Sequence, residues 1–429
     1  MQIYVVKPGD NLFEIARTYN SSVSTIISAN ELEEPNDLVV GQALVLPITG
    51  QFYIVQPGDT LTLIGRRFGV SAEAIASANN ISITANLNIG DRLFIPPVEN
   101  KPSKESNAYI EPFGETVSPE LERAARQASP FLTYLAPFSY RLNRDGTLIA
   151  PPLNNLYNIA RMNRATLMMV ITNLEEGAFS SELGNIILSD ENLQNRVLTQ
   201  IINTALEVGF RDIHFDFEFL LPEDREKYNQ FLVKARDRIH AAGLLMSTAL
   251  APKLSGEQVG AWYEAHDYPH HGEVADFVVL MTYEWGYSGG PAMPVSPINE
   301  VEKVVQYATS VMPSNKIMLG QNLYGYDWTL PFVEGTSARA VSPQQAIALA
   351  RQYNVFIQYD EVAQAPHFDY FDEEGKRHKV WFEDARSIQA KFDLIKRYNL
   401  RGISYWKLGL SFPQNWLLLD NNFDIVKRI

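Results

Sequence analysis

The sequence predicts an α/β protein: a (β/α)8 TIM barrel with a small α+β insertion, preceded by two small β-α-α-β modules. Three observations lead to this prediction. A segment within the first hundred residues is repeated, a polar stretch follows the second copy, and eight apolar strand-like runs then alternate with helix-like runs. This alternation favours a parallel barrel because each strand is followed by a helix that covers it.

The internal repeat needs no gaps. Segment 4–12, Y-V-V-K-P-G-D-N-L, recurs as segment 53–61, Y-I-V-Q-P-G-D-T-L, so Gly9 corresponds to Gly58 at an offset of 49 residues. Each copy predicts a strand, a Pro-Gly-Asp turn, two helices and a second short strand. The glycine gives the turn its backbone freedom, and the aspartate after it is positioned to cap the first helix.

The repeated motif also indicates a family. The pattern Y-x-V-x-P-G-D-x-L-x-x-I, with a central Asn and a closing G-x-x-L-x-x-P, resembles the LysM domain, and we predict one such module over 1–48 and another over 50–97. LysM domains bind glycans that contain N-acetylglucosamine, such as peptidoglycan and chitin. The resemblance therefore implies a tether to a wall polysaccharide, with the family's usual groove after the Pro-Gly-Asp turn and around Asn30 and Asn79.

A polar stretch separates the modules from the rest of the chain. Residues 98–107, V-E-N-K-P-S-K-E-S-N, are nearly free of apolar side chains, which predicts a linker. The remaining residues, 108–429, are predicted to form the barrel domain. The seventh interval between strands, from Trp328 to Trp381, is too long for one helix, so we expect a small antiparallel insertion over about 329–381 beside the barrel mouth.

Eight apolar runs of strand length occur in the predicted barrel. Working residues of such barrels gather at the carboxyl ends of the strands, so the residues there are the candidates for a functional site. The predicted strands are Ala108–Phe113, Leu132–Tyr140, Thr166–Thr172, Asp212–Phe219, Leu244–Leu250, Phe277–Trp285, Ile317–Tyr324 and Gly402–Leu408.

The fourth run carries the clearest chemical signal. Read with the two-residue period of a strand, Asp212–Phe219 has acids and His214 on one face, and Ile213 and three phenylalanines on the other. Burying such an ionisable face costs free energy unless the charges are paired, hydrated or used. Asp216 and Glu218 stand at the carboxyl end of this strand, where function is the favoured explanation.

Other strand ends add aromatic and polar side chains. Carboxylates beside aromatic platforms are typical of sugar sites, because rings stack on sugar faces while acids and amides bind hydroxyls. For Trp285, Tyr324 and Asp327, packing under the insertion explains the residue types equally well. The candidates for substrate binding are Trp406, Trp285, Asn322, Tyr324, Asp327 and His214.

The barrel domain resembles family 18 glycoside hydrolases, whose fourth strand usually reads G-F-D-G-x-D-x-D-x-E. The corresponding segment here reads G-F-R-D-I-H-F-D-F-E over 209–218. The resemblance implies three catalytic residues: Glu218 protonates the glycosidic oxygen, Asp216 orients the substrate's acetamido group and Tyr283 bonds that group. It also implies that Trp406 floors the scissile subsite. Such enzymes use the acetamido oxygen as nucleophile, with net retention.

Departures from the family pattern leave alternatives open. Arg211 and His214 stand where two further acids are usual, and Glu284 stands where many relatives carry Asp. Either His214 replaces the missing inner carboxylate as a partner of Asp216, or activity is reduced. The acids can instead form a structural ion pair with a nearby arginine or, with His214, a metal site. Tyr283 and Trp406 can be core aromatics.

Bulk composition excludes several functions. The 36 Lys and Arg against 50 Asp and Glu give a net charge of −14, which disfavours nucleic-acid partners. The absence of cysteine removes disulfides and thiolate chemistry. No apolar run approaches the roughly 18 residues needed to span a bilayer, and no signal peptide is recognisable. We expect neither a cofactor nor a metal.

Two LysM-like modules before a family 18 barrel resemble the spore-cortex-lytic N-acetylglucosaminidases of spore-forming bacteria. The resemblance implies cleavage of N-acetylglucosaminyl linkages in cortex peptidoglycan fragments during germination. It also implies a location in the spore cortex or coat, reached without a signal peptide. Two alternatives stay open: a chitinase-like hydrolase, and a non-catalytic glycan-binding spore-coat protein, which the replacements at Arg211 and His214 keep possible.

Overall fold

The centre of the molecule is a closed barrel of eight parallel strands. The computed structural model describes residues 1–98 and 100–428. Each barrel strand pairs with the next, and the last pairs with the first, which confirms the predicted fold class. The strands are Ser103–Ile110, Tyr134–Pro137, Thr166–Thr172, Asp212–Asp216, Leu245–Leu250, Phe277–Leu280, Ile317–Asn322 and Gly402–Trp406.

The fourth strand is shorter than predicted. It ends at Asp216, and Phe219 has a φ of 53° and a half-exposed ring, so the strand prediction is wrong at its carboxyl end. In the part that is a strand, Asp212 pairs with Met168 of the third strand and Leu245 of the fifth. The early end turns the residues after Asp216 into the first part of a loop at the barrel mouth.

The predicted linker is too long. The prediction of a linker over 98–107 is wrong for its second half, because the first barrel strand begins at Ser103. The charged residues at the start of this strand are buried and hydrogen-bonded. Glu105, for example, accepts hydrogen bonds from Arg401 and Arg428. Polar composition alone indicated solvent exposure, whereas these charges are satisfied inside the fold.

Helices cover the outside of the barrel. The helix before the fourth strand buries Leu193, Val197 and Ile201 at helical spacing. It is capped by Gly209, which has a φ of 93°, a value that glycine adopts without strain. In the described part of the chain, no helix is long and apolar enough to cross a membrane. The helices of the domain are Pro119–Ala128, Leu156–Met162, Ser181–Ser189, Glu191–Val208, Arg225–Ala241, Tyr268–Val274, Ile298–Val311, Ala385–Arg397 and Pro413–Asn422.

The long seventh interval folds as a small α+β unit beside the barrel mouth. It begins at Gly325, somewhat before the predicted start at 329, and forms a five-stranded antiparallel sheet with one helix, Pro343–Gln352. The sheet continues directly from the seventh barrel strand and therefore walls one side of the mouth. Its strands are Gly325–Leu330, Arg339–Val341, Gln358–Asp360, Ala365–Phe371 and Arg377–Trp381.

Each N-terminal repeat folds as a β-α-α-β unit. The Asn30 side chain bonds the backbone of Ile26 and Val45, which ties the second helix to the second strand, and Asn79 does the same in the second repeat. These two amides hold the fold, so they are not free to bind sugar. The elements are Gln2–Val5, Leu12–Thr18, Val23–Asn30 and Ala43–Leu46, then Gln51–Ile54, Leu61–Phe68, Ala72–Ala78 and Arg92–Ile95.

The first repeat is packed on the barrel domain. The backbone N–H of Ile357 donates to the carbonyl of Val40 at 2.9 Å, and Gln344 Nε2 donates to the carbonyl of Asn30 at 2.7 Å. Contact is so close at Gly41 that a Cβ there would lie 1.9 Å from the Ile357 oxygen. The first repeat is therefore fixed in place by its own backbone.

The second repeat contacts the first. The Phe52 N–H donates to Gln2 Oε1 at 2.7 Å, and the Arg92 guanidinium donates to the carbonyl of Thr18 while covering the Phe52 ring. Among residues 1–98 and 100–428, no hydrogen bond joins the second repeat to the barrel domain. The two copies of one sequence motif thus have different surroundings.

Candidate active site

A cleft of about 790 Å³ opens at the carboxyl ends of the barrel strands. This volume is typical of a site for a small molecule or a short sugar chain. The cleft brings together all three predicted catalytic residues and two of the predicted binding residues. These five are Asp216, Glu218, Tyr283, Tyr324 and Trp406.

Asp216 and Glu218 form the acidic floor of the cleft. Their exposed fractions are only 5% and 8%, although both side chains line the open space. Burial raises the pKa of both carboxyls, and the charge of Asp216 raises the pKa of Glu218 further. Asp216 Oδ1 has no hydrogen-bond partner among the described residues. The pair therefore offers a carboxylic acid and a carboxylate oxygen to a ligand.

Two residues that the sequence analysis did not identify hold Glu218. Asn173 clamps its backbone, accepting from the Glu218 N–H at 3.0 Å and donating to the Glu218 carbonyl at 2.9 Å. Trp262 Nε1 donates to Glu218 Oε2, and the indole stacks on Phe219 at 6.1 Å. This hydrogen bond lowers the pKa of Glu218 against the larger effect of burial. The available signal in the sequence was the pair of consecutive aromatics, Trp262 and Tyr263, in the loop after the fifth strand.

Tyr283 and Glu284 lie just beyond the sixth strand. The seventh strand needs glycine at Gly320, because a Cβ there would lie 2.2 Å from the Leu280 carbonyl oxygen and 3.0 Å from the Tyr283 ring. Glu284 has a φ of 66° and accepts hydrogen bonds from the hydroxyls of Tyr324 and Tyr326. Tyr324 therefore lines the cleft with its hydroxyl already engaged, while the pKa of Glu284 is raised by burial.

Trp406 ends the eighth strand and faces the cleft. Its ring packs edge-to-face on Phe138, with centroids 4.8 Å apart, and on Tyr109 at 5.5 Å. The next residue, Lys407, forms a salt bridge with Glu111 across the cleft wall. This aromatic support fixes the indole in one orientation, as stacking on a sugar ring requires.

His214 does not bind substrate in this arrangement, and that prediction is wrong. The ring is fully buried below the cleft, where it bonds the hydroxyls of Tyr109 at 2.8 Å and Ser247 at 2.7 Å. Ser247 in turn donates to Asp212 at 2.6 Å. Burial lowers the pKa of His214 to about 3 and keeps it neutral. Both ring nitrogens are used, so His214 neither partners Asp216 nor serves as a metal ligand.

Two further binding predictions, Asn322 and Asp327, are also wrong, and Trp285 does not line the cleft. Asn322 is fully buried and donates to the backbone carbonyl of Tyr324. Asp327 lies inside the insertion, where its carboxylate bonds Arg339, Tyr370 and His378. Trp285 packs against the barrel core and is not among the residues that line the cleft. In each case the side chain makes hydrogen bonds or packing contacts within the protein instead of facing the cleft.

The assembled site can carry out acid–base chemistry on a sugar. A protonated Glu218 can donate to a leaving oxygen, the carboxyl of Asp216, which lines the cleft, can accept from an N–H group, and Trp406 provides a flat apolar face. Among the described residues, no group of three His, Asp or Glu side chains is arranged to hold a metal ion. The chemistry available is that of two carboxyls and aromatic rings.

Comparison with known proteins agrees with this geometry. Residues 118–410 match Glycosyl hydrolases family 18, and residues 4–47 and 53–96 each match the LysM domain. Cortical fragment-lytic enzyme of Bacillus subtilis (strain 168) is 66% identical over 429 residues, which cover 100% of this chain and 99% of that protein. The enzyme of the same name from Bacillus anthracis is 54% identical over 430 residues, at 100% coverage of both.

Two crystal structures are similar over nearly the whole chain. The Bacillus megaterium QM B1551 spore cortex-lytic enzyme SleL has a TM-score of 0.90 at 55% identity, covering 100% of this chain and 99% of that one. The Bacillus cereus spore cortex-lytic enzyme SleL has a TM-score of 0.92 at 50% identity, covering 99% and 98%. The similarity therefore includes the LysM modules as well as the barrel.

Proposed function

Because this chain belongs to Glycosyl hydrolases family 18 and carries two LysM domains, we propose that it hydrolyses N-acetylglucosaminyl linkages in spore-cortex peptidoglycan fragments. The substrate class rests on full-length similarity to proteins named as cortical fragment-lytic and spore cortex-lytic enzymes. The same similarity supports a location in the spore and action during germination. The LysM domains are proposed to tether the enzyme to this glycan.

In the first step, the acetamido oxygen of the substrate attacks its own anomeric carbon. The bond from that carbon to the leaving oxygen breaks, and Glu218 gives its proton to this oxygen. The free oxygen of Asp216 accepts a hydrogen bond from the acetamido N–H and stabilises the positive charge that develops on the cyclic oxazolinium ion. The Tyr283 hydroxyl donates a hydrogen bond to the same acetamido group and keeps its proton.

In the second step, water attacks the anomeric carbon and reopens the ring. Glu218, now ionised, takes a proton from this water, and the sugar leaves with its original configuration. The raised pKa of Glu218 suits both halves of the cycle, since an acid that holds its proton near neutral pH also recovers it readily.

One observation carries the proposal: a protonatable Glu218 and a carboxylate with an unbonded oxygen stand together on the floor of an aromatic cleft. A non-catalytic glycan-binding protein has no need of this pair. Burying two acids without paired cations is costly, and the cost is explained when the pair does chemistry.

The test is digestion of purified cortex fragments, with mass spectrometry of the products. The proposal expects new fragments that end in a reducing N-acetylglucosamine, and it expects the Glu218→Gln variant to be about 10³–10⁴-fold slower while still binding the fragments. Chitin oligosaccharides serve as the comparison substrate, since faster cleavage of these would indicate a chitinase-like enzyme. Binding without cleavage by the wild type would contradict the proposal.

A further inference from the structure

A second crevice lies between the first LysM module and the barrel domain. Its volume is about 960 Å³, comparable to that of the catalytic cleft. One wall is the second helix of the module, which contributes the hydroxyls of Thr25 and Ser28. The opposite wall belongs to the barrel domain and includes Arg123, Phe131 and Trp416. The crevice is therefore built jointly by two domains.

The crevice adjoins the catalytic cleft. Leu410 lines both spaces, and it lies in the loop that follows the eighth barrel strand. The next residue in this loop, Ser411, donates to Glu31 Oε2 of the LysM module at 3.1 Å. A single loop thus separates the two spaces, and it is fastened to the module rather than free.

The side chains of the crevice suit an amino-sugar chain. Phe131 and Trp416 stack with centroids 6.1 Å apart and provide an apolar platform. Thr25 and Ser28 are exposed on the facing helix, and the Thr25 hydroxyl is hydrogen-bonded to Ser22 at 2.6 Å. Arg123 is exposed on the first barrel helix and, within residues 1–98 and 100–428, forms no salt bridge. Arg123 is the one cationic side chain among the described residues that line the crevice, where the acids Glu31 and Glu120 also lie, and its guanidinium is suited to a carboxylate of the ligand.

The second module lacks this arrangement. At the offset of 49 residues, Ser24 and Thr25 are replaced by Glu73 and Ala74, so the same helix face has lost two hydroxyls and gained a negative charge. No hydrogen bond joins the second module to the barrel domain among the described residues. The composite crevice is therefore specific to the first module, whose backbone contacts preform it.

We propose that this crevice is a second glycan-binding site, which holds further sugar units of the same chain that occupies the catalytic cleft. Arg123 binds a carboxylate carried by the lactyl or peptide substituents of that chain, and the platform of Phe131 and Trp416 binds a sugar face. The inference rests on the proposed function, because it assigns a longer substrate to the same active site. It predicts that the enzyme prefers fragments long enough to reach both spaces.

The experiment compares kcat/KM for fragments of one disaccharide unit and of four or more. Arg123→Ala removes the cation, and Ser28→Trp fills the crevice from the other wall. Arg126→Ala is the matched control, since this exposed arginine lies one turn further along the same helix, pairs with Glu122 and does not line the crevice. Melting temperatures establish that each variant is folded.

We expect Arg123→Ala and Ser28→Trp to lower kcat/KM for long fragments about tenfold, with little effect on short ones and no effect of Arg126→Ala. Equal effects on long and short fragments, or none on either, would overturn the inference. If the wild type cleaves no fragment, the proposed function fails separately. Calorimetry then measures the Kd of long fragments for Glu218→Gln with and without Arg123→Ala. A tenfold weaker Kd in the double variant supports glycan binding in the crevice, and an unchanged Kd refutes it.

Discussion

The two halves of segment 212–218, which consists of the fourth barrel strand and the start of the loop after Asp216, use the same kinds of side chain in opposite ways. In the inner half, His214 bonds Tyr109 and Ser247, and Asp212 accepts from Ser247, although Asp212 Oδ2 has no hydrogen-bond partner among the described residues. Neither side chain lines the cleft. Beyond it, Asp216 keeps an oxygen without a partner and Glu218 has one polar contact from a neighbouring loop. Along this segment the ionisable residues thus change from buried structural groups to groups that line the cleft, at the point where the barrel opens.

Burial acts on both halves in the same physical direction, toward the neutral form. It raises the pKa of the three carboxyls and lowers the pKa of His214 to about 3. The difference is what each neutral group can reach. His214 and Asp212 contact only protein, whereas Asp216 and Glu218 line the cleft. Access to the cleft, rather than residue type, therefore distinguishes the structural residues of this segment from the proposed catalytic ones.

The largest effect expected to separate the two halves is a contrast between two Asp→Asn substitutions. Asp216→Asn removes the carboxylate proposed to stabilise the oxazolinium charge, so kcat should fall about 10²–10³-fold. Asp212→Asn replaces a buried carboxyl that does not reach the cleft, so kcat should stay within about threefold of the wild type. Steady-state kinetics on cortex fragments measures both. Comparable losses in the two variants would break the distinction between inner and outer halves.

The next effect is on stability. His214→Ala leaves a cavity and two buried hydroxyls without their partner, which should reduce the free energy of unfolding by about 2–4 kcal/mol. His214→Gln is the control, because its amide can still bond in both directions. Urea unfolding followed by circular dichroism measures the change. Unaltered stability of the alanine variant would show that the inner network is dispensable.

The same residue predicts a pH dependence. The folded-state pKa of His214 is lowered to about 3, so its contribution to stability is complete above its unfolded value near 6.5 and is lost progressively as the pH falls below that value. The wild type should lose about 2 kcal/mol between pH 6.5 and 5 from this residue. The His214→Gln variant should lose less free energy of unfolding over the same pH range. If the free energies of unfolding of the two proteins fell in parallel with pH, the lowered pKa assigned to His214 would be contradicted.

The smallest effect concerns the loop contact on the outer half. Trp262→Phe keeps a ring to stack on Phe219 but removes the N–H that lowers the pKa of Glu218. The proton donor should then stay protonated to higher pH, shifting the alkaline limb of kcat/KM upward by about 0.5–1 pH unit. Asp216, Tyr109 and Tyr283, which are titratable groups near Glu218, are unchanged. Trp285→Phe, outside the cleft, should leave the pH profile as it is.

The most successful predictions from the sequence were the residues whose positions follow from strand periodicity and from the spacing of the family motif. Asp216, Glu218, Tyr283 and Trp406 each follow directly from the carboxyl end of a barrel strand, and parallel strands bring those ends to one edge. Trp262 lies in a loop more than ten residues after its strand, where periodicity contains no information about direction. Its contact with Glu218 depends on tertiary packing alone.

The wrong predictions share one cause: residue type does not reveal what a side chain is bonded to. Asp327 and Asn322 have the chemistry of sugar ligands, yet partners distant in sequence or on the local backbone satisfy them inside the fold. Glu105 has the polarity of a linker residue, yet arginines 296 and 323 positions away hold it in the first strand. Long-range partners of this kind cannot be found from local patterns.

The central claim is that Glu218 acts as proton donor while the substrate's own acetamido group, steered by Asp216, makes the attack. Proton NMR of the anomeric signal in the first minutes of hydrolysis tests it most directly. Substrate-assisted catalysis predicts that the new reducing end appears first as the β-anomer, before mutarotation. Initial release of the α-anomer would contradict the account, because it requires direct attack by water on the opposite face.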